Sequence, residues 1–223
     1  MSKQKIAVFD ADGVLVDFIR SFKEQASQLL NRKVANEHNT WCTKTRFKLT
    51  DSENKYIWSN LDWSKFHIYE NVTKSINIFK REGYLIVILT AAPENIKEQR
   101  IQCFKKNNLF YDHLFFVENG TSKFPKLCKL KPDFFIDDHF QHINEAIEAN
   151  VPDIFFCDNG YDFEKDAVKG KHQIVSSLYE ATLKFHKKTT KNSILIRGGL
   201  YELRFFKRYL RKRSLYRRFQ REG

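Results

Sequence analysis

Two aspartates, Asp10 and Asp12, follow a short apolar run near the start of the chain, and Gly13 comes directly after them. A residue that follows a buried parallel strand is delivered to the crevice at the carboxyl edge of the sheet, where ligands bind. Glycine lets the chain turn there without a Cβ clash, so both carboxylates can face the same crevice. A second acidic pair, Asp137 and Asp138, follows another apolar run. Neighbouring strands would therefore bring several carboxylates to one place.

Such a cluster of carboxylates repels itself, and either protonation or a divalent cation relieves the repulsion. Hard oxygen ligands suit Mg²⁺, which also accepts oxygens of a substrate phosphate. The sequence therefore predicts a magnesium site directed at a phosphate group. Two further residues fit this site. Thr90, at the end of an apolar run, can donate a hydroxyl hydrogen bond, and a lysine ahead of the second acidic pair can balance phosphoryl charge.

Short apolar runs that alternate with helical patterns must position these residues. The alternation is typical of an α/β protein with a Rossmann-like parallel sheet and helices on both of its faces. Helices are predicted over residues 73–81, 94–107 and 141–149. The predicted strands are residues 6–9, 84–89, 113–117, 134–136 and 154–156.

The segment between the first two predicted strands is far longer than an ordinary connection, which indicates an insertion over residues 19–72. Its apolar positions Phe22, Ala26 and Leu29 have helical spacing, and we predict a small helical cap over the mouth of the sheet. The predicted division of the chain is residues 1–18 and 73–183 for the α/β core, 19–72 for the cap and 184–223 for a basic amphipathic tail.

The amino-acid composition limits the classes of protein to which this chain can belong. A hydrophobic content of 42% with 21 Phe argues for a globular chain. The longest apolar run, residues 84–89, is too short to cross a bilayer, and the polar start lacks a signal-peptide core. We therefore expect a cytoplasmic protein. The four cysteines lie far apart without metal-type spacing, so reduced structural thiols are expected.

Four motifs, in the same order, resemble those of the haloacid dehalogenase (HAD) superfamily of phosphohydrolases. FDADGV resembles the nucleophile motif, ILT ending at Thr90 the second, a lysine ahead of the last motif the third, and FFIDD the fourth. The family's spacing favours Lys123 over Lys126, Lys129 and Lys131 as that lysine. The segment DGVLVDF and the position of the predicted cap resemble those of the subgroup that contains the 5′(3′)-deoxyribonucleotidases.

The resemblance implies a role for each of these residues. Asp10 would attack phosphorus and form an aspartyl-phosphate, while Asp12 would protonate the leaving oxygen and later take a proton from water. Thr90 and Lys123 would bind the phosphoryl group. The implied Mg²⁺ ligands are the Asp10 carboxylate, the Asp12 backbone carbonyl and one acid of the pair Asp137 and Asp138.

These roles predict a Mg²⁺-dependent phosphatase that hydrolyses a small phosphomonoester. A nucleoside monophosphate is the first substrate class and a sugar phosphate the second. Trp41, Trp58 and Trp63 of the cap could stack on a nucleobase, but formation of the cap's own core is the favoured interpretation. Two alternatives stay open: a phosphatase for polynucleotide ends, and a non-catalytic binding module recruited through the basic tail.

The basic tail, residues 184–223, contains 14 of the 39 Lys and Arg residues and 2 of the 27 Asp and Glu residues, so it accounts for the whole net charge of +12. Three interpretations are open: an interfacial helix on an anionic membrane surface, a patch for nucleic acid or an acidic partner, and a helix packed on the core. Aromatic side chains interleave with the arginines, and we rank the first interpretation highest. It would hold a cytoplasmic enzyme at the inner membrane surface.

We predict that deletion of the basic tail abolishes binding to anionic liposomes, because the positive charges and the interleaved aromatic side chains are removed together. Cosedimentation with vesicles that contain phosphatidylserine measures the bound fraction, and neutral vesicles serve as the control. Equal cosedimentation of the full-length and shortened chains would rule out a membrane role for the tail.

Overall fold

The structure, a computed structural model, describes residues 3–118, 120–161 and 167–197, with side chains up to residue 189. The chain divides into two units, residues 1–185 and residues 186–223. The strands are β1 Lys5–Phe9, β2 Tyr84–Ala91, β3 His113–Val117, β4 Phe134–Asp137, β5 Asp153–Cys157 and β6 Gln173–Val175. They form one parallel sheet of order β3-β2-β1-β4-β5-β6. The predicted α/β sheet is confirmed, with β6 as an additional edge strand.

Helices connect the strands and fill the insertion. The predicted helix over residues 94–107 is a 3-10 turn followed by a shorter α-helix. Among the described residues, no helix is both long and apolar enough to cross a membrane. The helices are α1 Phe18–Leu29, α2 Thr43–Arg46, α3 Asp51–Asn60, α4 Val72–Arg81, α5 Lys97–Lys106, α6 Phe124–Leu130, α7 Phe140–Glu148 and α8 Leu178–Arg197, with 3-10 turns at Trp63–Lys65 and Glu94–Ile96.

The central strands are buried on both faces, and their alternate side chains enter two separate apolar layers. Ala7 and Phe9 of β1 belong to the layer that includes Phe79 of α4. Val8, between them, belongs to the opposite layer, which includes Ile143 of α7. Burial on both faces explains why these strands read as continuous apolar runs.

The order of the strands creates a crevice next to β1. The chain builds outwards from β1 to β3 on one side of the sheet, and then from β4 to β6 on the other. Connections therefore leave β1 and β4 in opposite directions, and such a switch point opens a ligand-binding crevice at the carboxyl ends of the strands. Phe9 pairs with Ile136, and the Asp10 N–H donates to the Ile136 carbonyl at 3.0 Å. Asp10 and Asp137 are thus placed side by side.

The two ends of the insertion lie next to each other. Val16 forms an antiparallel bridge with Ile68. The Asp17 N–H donates to the His67 carbonyl at 2.9 Å and extends this pairing. Helices α1, α2 and α3 and one 3-10 turn occupy the segment between them. The helical character of residues 19–72 therefore matches the sequence analysis, and their action as a cap stays a prediction.

We predict that Phe134→Ala lowers the free energy of unfolding by about 3–5 kcal/mol, because it removes a fully buried ring and leaves a cavity. Tyr56→Ala removes a ring that is 49% exposed and should cost less than about 0.5 kcal/mol. Urea unfolding followed by circular dichroism measures both; equal losses would contradict the prediction. The rings that surround Phe134, with centroids 4.6–5.5 Å away, are Phe9, Phe79, Phe155 and Phe185.

Candidate active site

The crevice at the carboxyl ends of β1 and β4 contains three buried carboxylates. Oxygen atoms of Asp10, Asp137 and Asp138 lie within 4.8 Å of one another. The three residues are 6%, 1% and 1% exposed. The first and fourth motifs of the sequence therefore meet, because β1 and β4 are neighbours in the sheet.

Lys123 places its ammonium group among these carboxylates. Its Nζ donates to Asp10 Oδ1 and, at 2.7 Å, to Asp137 Oδ2. The Lys123 backbone N–H donates to Glu145 Oε2 at 2.8 Å, and His142 Nδ1 lies 3.0 Å from the same oxygen. The backbone of Lys123 is thus hydrogen-bonded to α7, while its ammonium group reaches the crevice. Among the described ion pairs, none joins these carboxylates to the other candidates, Lys126, Lys129 and Lys131.

Burial and charge shift the pKa values of this group in different directions. Burial raises the pKa of Asp10 to about 7, although Lys123 opposes the rise. Burial also raises the pKa of Asp138 well above its usual value, and the charges of Asp10 and Asp137 add to this effect. Burial would raise the pKa of Asp137 too, but Lys123, His142 and the hydrogen bond from the His139 N–H together outweigh it, and the pKa is lowered. The two acids likewise outweigh the burial of Lys123 and raise its pKa.

One ammonium group therefore faces three carboxylates, and the group is short of positive charge. A divalent cation would supply that charge, and a set of oxygen donors fits Mg²⁺ better than a softer metal. The residues present thus fit a magnesium ion by charge and by donor type.

The hydrogen bonds distinguish the two acids of the fourth motif. Asp137 uses both oxygens: Oδ1 accepts the His139 N–H at 2.9 Å, and Oδ2 accepts from Lys123. Asp138 Oδ2 accepts from Asn159 Nδ2 at 2.8 Å, and its Oδ1 accepts from none of the described residues. Asp138 thus has a carboxylate oxygen left for a cation, whereas Asp137 orients the lysine.

Asn159, two residues beyond β5, ties Asp138 to the turn after β1. Its Nδ2 also donates to the Gly13 carbonyl at 2.9 Å. Gly13 has a φ of +81°, and a Cβ at this position would lie 1.7 Å from Asp138 Oδ2. The turn therefore needs glycine for its backbone conformation and for the close approach of Asp138. The sequence analysis missed Asn159, although a polar residue just past a predicted strand was an available signal.

Asp12 is partnered separately from the three carboxylates. Both of its oxygens accept from Arg100 Nη2, at 2.8 and 2.7 Å. The Asp12 side chain is 22% exposed, whereas that of Arg100 is fully buried. The sequence analysis missed Arg100, because one arginine within a predicted crossover helix gives no sign of a partner 88 residues away.

Thr90 lies where the second motif predicts it, near the carboxyl end of β2. It is two residues beyond Ile88, which pairs with Phe9 of β1, and it is 1% exposed. Its hydroxyl makes no hydrogen bond with the part of the chain that the structure describes. Thr90 is therefore positioned beside the end of β1 and is available to a ligand oxygen.

The insertion brings one aromatic ring next to the acidic pair. The ring of Trp41 lies 5.0 Å from that of His139 and 4.7 Å from that of Tyr161, between centroids. Trp58 and Trp63 pack on each other instead, 6.0 Å apart. The expectation that the tryptophans form the insertion's own core fits these two, whereas Trp41 contacts residues outside the insertion.

Solved structures with a similar fold include proteins described as phosphatases and as HAD hydrolases. A predicted phosphatase from Clostridium acetobutylicum superposes with a TM-score of 0.58 at 16% identity, covering 83% of this chain and 100% of that one. A predicted phosphoglycolate phosphatase from Haemophilus somnus gives 0.56 at 18%, covering 83% and 99%. A HAD hydrolase of family IA from Entamoeba histolytica gives 0.52 at 13%, covering 82% and 100%.

Comparisons at the level of sequence give no match, either to a protein-family model or to a curated protein. The structural likeness therefore establishes a shared fold. The finer resemblance to the 5′(3′)-deoxyribonucleotidase subgroup stays a prediction.

We predict that Gly13→Ala weakens Mg²⁺ binding at least about 10-fold, because the new Cβ displaces the Asp138 carboxylate. Gly83→Ala is the matched control: its φ of +78° imposes a similar backbone strain of about 1–2 kcal/mol, but no atom lies within 4 Å of the added Cβ. Calorimetric titration with Mg²⁺ measures both affinities. Unchanged binding in Gly13→Ala would show that Asp138 is not part of the cation site.

Proposed function

We propose that this protein is a Mg²⁺-dependent phosphohydrolase of the HAD type, which hydrolyses a small phosphomonoester through an aspartyl-phosphate intermediate. The proposal depends on one observation: Lys123 bridges Asp10 and Asp137, beside Asp138, in a buried crevice at the sheet's switch point. Acidic and basic groups of this kind bind a phosphate ester together with a cation. The structural relatives described as phosphatases support the assignment.

In the first half of the reaction, a carboxylate oxygen of Asp10 attacks phosphorus. A bond forms between Asp10 and phosphorus while the bond from phosphorus to the ester oxygen breaks, and Asp12 gives a proton to the departing oxygen. In the second half, water attacks the aspartyl-phosphate and Asp12 takes a proton from it. Inorganic phosphate leaves and Asp10 is regenerated.

Lys123 and Thr90 hold the phosphoryl group during both halves. The pKa of Lys123 is raised by Asp10 and Asp137, which outweigh its burial, so the lysine carries its charge at neutral pH. Its hydrogen bonds to Asp10 and Asp137 direct the ammonium group, and the backbone hydrogen bond to Glu145 holds the residue itself. The Thr90 hydroxyl would donate to a phosphoryl oxygen from the end of β2.

Asp10 and Asp138 would hold the magnesium ion with their available carboxylate oxygens, together with the backbone carbonyl of Asp12. When bound, the ion neutralises negative charge on the phosphoryl group. Asp137 then remains the counter-ion of Lys123. This division of work follows from the hydrogen bonds of the acidic pair.

The favoured substrate is a nucleoside monophosphate, and a sugar phosphate is the second class. Trp41 supports the first, because its ring lies against His139, the residue directly after Asp138. A flat ring beside the residue that follows the acidic pair can stack on a base in the leaving group.

The charge of the basic tail, residues 184–223, favours an additional anionic partner. An anionic membrane surface would concentrate the enzyme at the inner membrane surface. If the partner is nucleic acid, the substrate would be a phosphorylated polynucleotide end, and binding would weaken steeply with salt. A non-catalytic binding module would keep such contacts without turnover.

We predict that Asp10→Asn lowers turnover at least about 10³-fold with the fold retained, because the amide cannot form the aspartyl-phosphate. Phosphate release is measured with Mg²⁺ over a panel of 5′- and 3′-nucleotides, sugar phosphates and a 3′-phosphorylated oligonucleotide. Circular dichroism checks the fold, and Asp51→Asn, on an exposed helix position, is the control.

Retained turnover in Asp10→Asn would exclude Asp10 as the nucleophile.

In the same assay, Asp138→Asn should need a higher Mg²⁺ concentration than the wild type to reach its half-maximal rate. The preferred ester identifies the substrate class. A folded wild-type protein that binds Mg²⁺ and hydrolyses no member of the panel would favour the binding module.

A further inference from the structure

Arg100 forms its described ion pair with Asp12, the proposed proton donor. A single nitrogen, Nη2, lies 2.8 Å from Oδ1 and 2.7 Å from Oδ2 of Asp12. The arginine side chain is fully buried and the aspartate side chain is 22% exposed. The Asp12 carboxylate therefore connects a buried guanidinium group to the crevice.

The other donors of Arg100 argue against a purely structural pair. Its Nε and Nη1 are buried and have no acceptor among the described residues. Buried N–H groups without acceptors destabilise a folded protein, and an apolar side chain of similar volume would fill the same space without this cost. Stability alone therefore does not explain an arginine at this position.

Contacts with the insertion fix Arg100 in place. Its guanidinium carbon lies 5.0 Å from the centroid of the Trp63 ring and 5.7 Å from that of Phe66. Gln99 Oε1 accepts the backbone N–H of Trp63 at 2.9 Å, and Cys103 Sγ donates to the backbone carbonyl of Phe66 at 3.2 Å. The face of α5 that carries Arg100 is thus attached to the insertion on both sides of the guanidinium group.

We propose that Arg100 is a positioning residue that aims the Asp12 carboxylate at the leaving oxygen of the substrate, an inference that rests on the proposed phosphatase function. Asp12 lies where the chain turns after β1, and Arg100 makes the described side-chain hydrogen bonds to its carboxylate. Because a single nitrogen serves both oxygens, Arg100 holds the carboxylate at one point, and the rings of Trp63 and Phe66 hold the guanidinium group.

A series of aryl phosphates tests this role. The value of kcat/KM with Mg²⁺ is measured for p-nitrophenyl, phenyl and p-methoxyphenyl phosphate, because kcat/KM reports the steps up to phosphoryl transfer to Asp10. A p-nitrophenolate leaves readily without a proton, whereas the other two phenolates need one. Arg100→Met should therefore lower kcat/KM about 10- to 100-fold for the phenyl and p-methoxyphenyl esters, with little change for p-nitrophenyl phosphate.

Three variants serve as controls. Lys105→Met removes a positive charge from an exposed position of the same helix and should match the wild type on every ester. Arg100→Lys keeps a buried charge, remains informative if the Met variant folds poorly, and should show a smaller loss with the same dependence on leaving group. Asp12→Asn should show the pattern of Arg100→Met, and combining the two should add no further loss.

An equal loss on all three esters, or wild-type values in both Arg100 variants, would overturn the positioning role. A wild-type protein that hydrolyses none of the esters would instead overturn the proposed function itself.

Discussion

The crevice at the carboxyl ends of β1 and β4 buries more negative than positive charge, and the rest of the structure must compensate for this imbalance. Asp10, Asp137 and Asp138 are buried together with one ammonium group, that of Lys123. Burial of unbalanced carboxylates opposes folding, so the surrounding sheet must supply the stability. The ring cluster around Phe134 lies beneath the same two strands and does so through apolar packing. The shortage of positive charge also suits the crevice to a cation.

The chain keeps its acidic side chains in distinct environments although they are close in sequence. Asp10 shares Lys123 with Asp137, whereas Asp12, two residues later, pairs with Arg100. In the proposed reaction, the nucleophile and the proton carrier have different tasks, and each of these two aspartates has its own partner. In the same way, Asp137 pairs with Lys123, whereas Asp138 accepts a hydrogen bond from Asn159 and keeps one oxygen without a described donor.

The sequence was sufficient for the parts of the site that local patterns determine. Asp10 and Thr90 end apolar runs, and apolar runs buried on both faces are strands, so their place at the carboxyl edge could be predicted. Partners that depend on tertiary packing could not: Arg100 is 88 residues from Asp12, and Asn159 is 146 residues from Gly13. The edge strand β6 was missed because it has three residues, two of them exposed, and so lacks an apolar run.

The paired ends of residues 19–72 have a consequence for how such a protein can change during evolution. Val16 and Ile68 are joined directly by their own backbone bridge. A different segment could be exchanged by recombination at these two points without shifting the buried carboxylates at the ends of β1 and β4. The same crevice could then acquire a new ligand selectivity when residues 19–72 are replaced by another segment. The new segment would have to restore the packing of Trp63 and Phe66 on Arg100.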